Sequence, residues 1–313
     1  MKHGLFIAFC MLAGFRGTNA QDIIEIPFQP VDVHYQHLSD SLAALDEIDD
    51  MGSIQLSLEA LEQIQDPDLR YNLIFWQLSF HYANLKDYES CFESLKKGQD
   101  EGLYYFLRTG EHPFPPYITQ LEKLDGFDTF LSKNQALKDS ANSDTTAEYR
   151  VRSPKLTTGG PLPLLMLFHG GIGSISSLQR NYASDSVQNN FIVAYFQGGE
   201  RVATGTRRFT RDWQQRIMHG YEQILQNYPV DTSRIILGGP SAGGYRSIAL
   251  GLPGIIPAKG LLLSFPVTPR DMDSTAFLNA AQRNLRAALL CGESDWAIKQ
   301  QKAFAYRLDQ YDI

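Results

Sequence analysis

The sequence is poor in cysteine and in charge, and it has no long apolar run. Only 3 of its 313 residues are cysteines and 20% are charged, which argues against a disulfide-rich scaffold and against a disordered chain. Its most apolar segment, residues 5–13, is too short to cross a bilayer. Apolar residues still make up 43% of the chain, enough for the core of an ordinary soluble globular protein.

Basic residues are also in deficit. The chain has 28 lysines and arginines against 35 aspartates and glutamates, a net charge of −7. An acidic surface disfavours binding to nucleic acid and to anionic membranes. The sequence lacks a spaced His/Cys cluster and a phosphate-binding glycine loop, so we expect neither a metal nor an organic cofactor.

Residues 1–20 have the pattern of a cleavable signal peptide. Lys2 and His3 precede the apolar segment, and Ala20 is a small residue at a fair cleavage site before Gln21. We therefore expect export to the periplasm or the medium, with no membrane span after cleavage; an N-terminal core helix is the alternative. Cleavage would leave Cys91 and Cys291, which we place on a helix and in a buried strand of different domains and expect to be unpaired.

Residues 36–138 predict a helical domain. Ser53 opens one apolar run, Asp66-Pro67 is a cap-and-proline start for a second helix that ends near Asn84, and Gly98 can end a third. The segment 70–97 weakly resembles a single tetratricopeptide-type hairpin, without a second copy. This domain is either a plain cap packed on a larger domain or a module that recruits a peptide or protein partner.

A change of pattern marks the next two regions. Residues 139–147 are polar and aperiodic, and we interpret them as a linker. Residues 148–313 alternate between strands and helices, which predicts an α/β domain with a mostly parallel sheet. The predicted strands are 149–151, 163–168, 191–196, 234–237, 261–263 and 287–290, and the predicted helices are 176–190, 213–225, 242–250 and 296–308.

A G-x-S-x-G motif lies between one of these strands and its helix. In Gly239-Pro240-Ser241-Ala242-Gly243, the strand before and the helix after favour a turn that presents Ser241 as a nucleophile. Glycines suit the tight turn because a side chain there would strike neighbouring backbone. The alternative is a glycine-rich turn with an inert serine.

Two further loops leave strands at the same edge of the predicted sheet. The loop 169–173 offers the N–H groups of Gly170 and Gly171 to an oxyanion, with His169 shaping the loop rather than acting as the base. Asp295 follows another strand, where a carboxylate can orient a histidine. Asp295 could equally cap the helix that follows it, and Glu293 is the alternative acid.

Three stretches, 161–171, 230–244 and 290–295, together resemble the α/β-hydrolase superfamily. The similarity covers residues 147–313 and is nearest to exported esterases related to polyhydroxyalkanoate depolymerases and feruloyl esterases, and to prolyl oligopeptidase-like enzymes. It implies Ser241 as nucleophile and Asp295 as acid. It also implies an oxyanion hole formed by Ala242 with Gly170 or Gly171.

Two features depart from that family. Pro240 stands directly before the serine, where it removes an N–H and restricts the turn. The family places its catalytic histidine after one more strand beyond the acid, whereas all seven histidines here precede Ser241. The last of them, His219, lies in a helix that we expect to pack on the sheet. The catalytic histidine is therefore unknown, and we expect the printed sequence to end before the family's last strand.

Three functions follow from these patterns. The first is an exported serine esterase that acts on a small-molecule ester, impaired in this chain by the missing histidine. The second is a non-catalytic binding or scaffold protein on the hydrolase fold, and the third is a prolyl oligopeptidase-like peptidase. A run of arginines between a strand and a helix could contact an acidic substrate, although a solvated loop is the simpler interpretation; it comprises Arg201, Arg207, Arg208 and Arg211.

Overall fold

The computed structural model describes residues 24–26, 32–46, 48–141, 148–154, 160–269 and 271–313. The predicted signal peptide lies outside these residues, as does most of the predicted linker. Among the described residues, no helix combines the length and the apolar character that crossing a membrane requires.

Helices make up most of the chain between residues 33 and 141, with an irregular stretch at 101–117. Four of them begin after an aspartate whose carboxylate accepts an N–H of the first turn, which would otherwise lack a partner. Asp49 is one such cap, so the second helix begins at residue 50, three residues before the predicted start at Ser53. The helices are α1 (Val33–Leu45), α2 (Asp50–Gln63), α3 (Pro67–Tyr71), α4 (Ser79–Asn84), α5 (Tyr88–Asp100), α6 (Ile118–Leu121) and α7 (Phe127–Ala141).

A π-helical segment, Asn72–Leu78, joins α3 to α4. The sequence predicted one regular α-helix from Pro67 to Asn84. This prediction is wrong over the π-helical segment, where the helix is wider than an α-helix. Phe75 lies at its centre, fully buried, and stacks on Tyr71 at 5.3 Å and on Tyr105 at 5.6 Å between ring centroids. These rings belong to the separate core of the helical region.

Two predicted ends in the helical region are wrong. Gly98 does not end α5, which continues to Asp100; instead it makes room for Tyr105, whose hydroxyl would lie 2.1 Å from a Cβ at that position. The linker predicted from residue 139 is still helical to Ala141. The Gln135 side chain donates to Asp139 one turn later, at 2.7 Å, which supports that last turn.

The second region is an α/β sandwich built on a seven-stranded sheet. Its strands are β1 (Ile24–Glu25), β2 (Tyr149–Arg152), β3 (Leu162–Phe168), β4 (Ile192–Phe196), β7 (Val230–Pro240), β8 (Gly260–Ser264) and β9 (Arg286–Leu290), while β5 (Glu200–Ala203) and β6 (Thr206–Arg208) form a separate hairpin. The order in the sheet is β1-β2-β4-β3-β7-β8-β9, and all neighbours are parallel except β2 and β4. The predicted class, a mostly parallel α/β sheet with helices before it, is confirmed.

Strand β1 was not predicted. Ile24 and Glu25 pair with Arg150 and Val151, so a segment that precedes the helices belongs to the sheet of the later region. The predicted division, with all sheet residues after 148, is corrected to this extent. Two residues are too few to show the period of a strand.

Helices cover both faces of the sheet and bury its apolar strands. One helix predicted over 176–190 is two, because the Ser184 hydroxyl caps a new start after a break. A large core lies on one face and a smaller one, with Leu165, Leu178 and Tyr195, on the other. The helices are α8 (Ile175–Asn181), α9 (Asp185–Asn190), α10 (Trp213–Asn227), α11 (Ala242–Gly251), α12 (Ser274–Gln282) and α13 (Ile298–Asp309).

A hairpin of β5 (Glu200–Ala203) and β6 (Thr206–Arg208) replaces the predicted solvated loop. Ala203 packs into the core of the helical region. Thr204 and Tyr104 hydrogen-bond to each other through their backbones and the threonine hydroxyl. The hairpin therefore joins the helical region to the α/β region.

Both cysteines among the described residues are unpaired, as predicted. Cys91 is buried in α5, where its thiol donates to the carbonyl of Ser79 at 3.3 Å. Cys291 was expected in a buried strand, and this is wrong. It follows the end of β9 and is exposed.

Candidate active site

Ser241 occupies the corner between β7 and α11 in a backbone conformation that serine rarely adopts. Its φ is 51° and its ψ is −118°, a region that usually requires glycine. The N–H of Ser241 donates to the Ser264 carbonyl at 3.0 Å, and the N–H of Val267 donates to the Ser241 carbonyl at 3.0 Å. These bonds to the end of β8 and to the loop after it hold the strained corner, and Pro240 is accommodated as the last residue of β7.

The glycines on either side of the serine are needed because another strand passes close by. A Cβ on Gly239 would lie 2.1 Å from the Phe168 carbonyl oxygen, and a Cβ on Gly243 would lie 2.0 Å from the same atom. The carbonyl belongs to the end of β3, which cannot move without disturbing the centre of the sheet. The structure therefore shows the clash with neighbouring backbone that the sequence predicted for any side chain at these two positions.

The loop after β3 lies beside the serine. An ideal Cβ on Gly170 would be 3.7 Å from Cβ of Ser241. Among the described residues, the N–H groups of Gly170, Gly171 and Ala242 donate to no other protein atom. Three unused backbone donors therefore lie in the two loops that the sequence placed at one sheet edge, one of them in the residue directly after the serine.

His169 is buried behind this loop, and both of its ring nitrogens bind backbone. Nε2 accepts the N–H of Gly198 at 2.9 Å, so Nδ1 carries the proton and donates to the Gly170 carbonyl, also at 2.9 Å. Burial lowers the pKa of His169 to about 3. The ring is neutral at physiological pH and holds the loop in place, which is the loop-shaping role expected of it.

We expect this neutral histidine to make stability fall in acid. The pKa is lower in the folded chain than the usual value of about 6.5 in an unfolded one, so the unfolded state binds the proton first. The contribution is complete above about pH 6.5 and is lost as the pH falls toward 3. The free energy of unfolding of the wild type should therefore decrease more steeply between pH 7 and pH 5 than that of His169→Gln. Parallel pH curves for the two proteins would contradict this, and His219→Gln on the exposed face of α10 is the control.

Asp295 lies in the turn between β9 and α13, half-buried. Its Oδ1 accepts the N–H of Ala297 at 2.7 Å, and its carbonyl accepts the N–H of Ile298 at 2.9 Å. The carboxylate thus closes the turn before α13, but it is not the N-cap predicted as its alternative role, because the helix begins at Ile298 with Ala297 as its N-cap and without a side-chain cap. Its role as catalytic acid stays a prediction, as does the alternative at the exposed Glu293.

No histidine ring among the described residues hydrogen-bonds to Ser241 or to Asp295. His219 is exposed on α10 rather than packed on the sheet, because the buried face of that helix carries Ile217, Tyr221 and Ile224. His81 is buried in α4 and bonds to Asp50 at 2.7 Å. The base that a serine nucleophile needs is not assigned by these contacts.

A cavity of about 730 Å³ opens at Ser241. The loops at residues 169–173 and at Ser241 form its floor, and Trp296 stands at its rim with 79% of its surface exposed. The opposite wall comes from the helical region, through Asn72, Trp76, Phe106, Arg108 and Phe114. Sequence reasoning missed this wall, although the aromatic residues of that region were a signal that it carries more than a packing face.

Arg246 supports the serine corner from within. It is buried in α11, its Nη1 donates to the Ala242 carbonyl at 2.8 Å, and its guanidinium lies 4.0 Å from the centre of the Phe209 ring. Burial lowers its pKa to about 10, so it stays charged at neutral pH. Among the described residues, no group of three or more potential metal ligands is present.

Comparisons with known proteins give low similarities. No protein-family model matches the chain, and no curated protein matches it. An uncharacterized protein from Bacillus cereus is similar over 89% of each chain, at 15% identity and a TM-score of 0.44. The fluorophosphonate-binding serine hydrolase F of Staphylococcus aureus is similar over 52% of this chain and 79% of its own, at 15% identity and a TM-score of 0.40. S-formylglutathione hydrolase of the same organism is similar over 50% and 72%, at 15% identity and a TM-score of 0.37.

Proposed function

We propose that the chain is an exported serine hydrolase that cleaves carboxylic esters, with Ser241 as the nucleophile. The observation that carries the proposal is the strained backbone of Ser241, φ 51°, at a strand-to-helix corner. Such strain is costly and persists where a function maintains it. The corner opens on the cavity of about 730 Å³, where a substrate can reach the hydroxyl.

The unused donors give the reaction its electrostatic support. When Oγ of Ser241 attacks an ester carbonyl, the carbonyl oxygen becomes an oxyanion. The N–H of Ala242, with that of Gly170 or Gly171, would stabilise the oxyanion without reorganisation. The tetrahedral intermediate then expels the alkoxide or phenoxide, which takes up a proton from solvent, and water hydrolyses the acyl-enzyme.

We propose that this reaction is slow in the 313-residue chain. A serine hydroxyl needs a base to take its proton, and His169 is neutral with both nitrogens engaged. Loss of one member of a catalytic triad costs on the order of 10⁴ or more in rate. Water is then the acceptor of the serine proton.

The same argument favours esters over peptides. The amine that leaves a peptide must be protonated by a general acid, a task that the histidine performs in a complete triad. An alkoxide or phenoxide leaves an ester with much less assistance. We therefore propose activated esters as the substrates on which this chain turns over measurably.

Prolonged incubation with a fluorophosphonate probe tests the proposal. We expect slow covalent modification, and peptide mass analysis should locate the adduct on Ser241. The proposed export is tested separately, since protein purified from an exporting host should begin at Gln21. Attachment at another residue, or no adduct and no hydrolysis of p-nitrophenyl acetate after long incubation, would refute Ser241 as a nucleophile. Turnover as fast as that of a complete triad would refute the impairment alone.

A further inference from the structure

A second, smaller pocket adjoins the cavity at Ser241. It has a volume of about 180 Å³ and lies between the helical region, β2 and the β5–β6 hairpin. The two spaces share four lining residues: Asp68, Ser174, Gly205 and Thr206. The smaller pocket is distinguished by its arginines, since Arg150, Arg201 and Arg207 all line it.

Arg207 is the most deeply placed of the three, with only 8% of its surface exposed. Its Nη1 has a neutral acceptor, the Gly199 carbonyl, at the long distance of 3.4 Å. Burial lowers the pKa of Arg207, and the nearby Arg201 lowers it further. Glu148 opposes this lowering from a distance, but Arg207 forms no ion pair with it or with any other described acid. A buried cation without a directly paired anion is costly, so this arrangement favours a ligand of opposite charge.

Two carboxylates lie near these arginines, but neither pairs directly with Arg150 or Arg207. Among the described residues, neither Arg150 nor Arg207 forms an ion pair, and Nε of Arg150 has no hydrogen-bond partner. Glu148 is engaged by Arg216. The one acid that lines the pocket is Asp68, whose pKa burial raises, and the proximity of Arg180 opposes that rise.

Neutral hydrogen-bonding groups complete the lining. Arg201 lies within hydrogen-bonding reach of the Tyr104 hydroxyl, which also borders the pocket. Ser176, whose hydroxyl bonds to Asp68, lines the same space. Guanidinium forks and hydroxyl donors around a small volume match the planar or tetrahedral oxygens of a carboxylate or a phosphate group.

We propose that Arg150, Arg201 and Arg207 form a binding site for a small oxyanion, beside the cavity of Ser241 and distinct from its catalytic loops. The ligand is a carboxylate or phosphate group, either free in solution or carried by a molecule whose other end lies in the larger cavity. The site does not depend on hydrolysis. Only its use by a substrate rests on the function proposed for Ser241.

The hairpin also connects this site to the loop that faces the nucleophile. The backbone N–H of Gly173 donates to the Arg207 carbonyl at 3.0 Å, and the N–H of Arg207 donates to the Gly173 carbonyl at 2.7 Å. The loop that carries Gly170 and Gly171 is therefore tied to the residue that would bind the anion. These two hydrogen bonds are the physical basis on which an anion held by Arg207 would stabilise the position of this loop.

Calorimetric titration of inorganic phosphate into the full-length Ser241→Ala protein at low salt tests the site directly. We expect binding that weakens about tenfold or more in Arg207→Gln and in Arg150→Gln. Arg208→Gln is the matched control, because Arg208 is the next residue of β6 but is exposed and paired with Glu200. It should bind within about twofold of the parent. Absence of phosphate binding by the parent, or equal binding by all three variants, would overturn the proposal.

A second titration identifies the source of the anion. Monomethyl esters of short dicarboxylic acids are compared with the dimethyl esters of the same acids, again in Ser241→Ala. Tighter binding of the half-esters, with competition by phosphate, would support a substrate carboxylate. Phosphate binding without this preference would support a free anion. If Arg207→Gln is unfolded, Arg150→Gln decides the result, and failure of fluorophosphonate labelling in the wild type leaves these titrations unaffected.

Discussion

Ser241→Gly is expected to abolish covalent labelling and ester hydrolysis while making the protein more stable. Serine at φ 51° and ψ −118° is strained, and glycine adopts this conformation without a Cβ clash. Relief of such strain is worth about 1–3 kcal/mol, reduced by the greater freedom that glycine gives the unfolded chain. We therefore expect a net gain of about 1 kcal/mol in the free energy of unfolding, together with complete loss of reactivity.

Ser241→Ala separates the two effects. Alanine lacks the hydroxyl and so loses labelling, but it keeps the Cβ and hence the strain. Urea unfolding of the three proteins at equal m-value gives the comparison. The prediction is contradicted if glycine destabilises the fold as much as alanine does, because the serine backbone would then be unstrained. It is contradicted on the chemical side if either variant still reacts.

Opposite signs for stability and reactivity are the mark of a position maintained for function. A structural serine in a turn would show the reverse, since its replacement would remove a hydrogen bond and cost stability. The inert-serine alternative is thereby open to a test that does not require knowledge of the substrate. The test also remains valid if turnover of the wild type is very slow.

The sequence was sufficient for the parts of the site that lie at strand ends. Continuous apolar runs such as 163–168 fix a buried parallel strand, and the residues after it must leave at the carboxyl edge of the sheet. This is why Gly170 and Ser241, 71 positions apart in the chain, could be placed together before the structure was known. Their proximity follows from the adjacency of β3 and β7 in the sheet.

Features formed by tertiary contact could not be predicted in this way. The β5–β6 hairpin is rich in arginine, and its pattern alone is that of a solvated loop. Its burial depends on Ala203 entering a core made of residues 54–130. The π-helical segment is similarly invisible, because Asn72–Leu78 has the composition of an ordinary apolar helix. The contribution of these elements to the cavity at Ser241 could therefore be recognised only from the structure.

The proposed oxyanion site could not be predicted from the sequence for the same reason. Local sequence showed four arginines between a strand and a helix, with no means of distinguishing an exposed side chain from a buried one. The alternation along β6 places Arg207 inward and Arg208 outward, because successive side chains of a strand point to opposite faces. Recognition of a strand at 206–208 would therefore have been enough to separate the two residues.

Gly243→Ala is expected to destabilise the chain severely. The added Cβ would lie 2.0 Å from the Phe168 carbonyl oxygen and 2.9 Å from that of His169, distances that real Cβ atoms do not reach. Relief requires the start of α11 to move away from β3, which breaks packing at the centre of the sheet. Overpacking against backbone costs about 3 kcal/mol or more, and thermal unfolding should show a decrease in Tm of about 6 °C or more.

Gly292→Ala is the matched control for this substitution. Gly292 lies in the turn after β9, at the same edge of the sheet, and no atom lies within 4 Å of its ideal Cβ. Its replacement should change stability by less than about 0.5 kcal/mol. If Gly243→Ala were as stable as Gly292→Ala, the end of β3 could not lie as close to the serine corner as the structure places it. The placement of the backbone donors of Gly170 and Gly171 beside Ser241 would then be wrong as well, since both depend on the position of the same strand end.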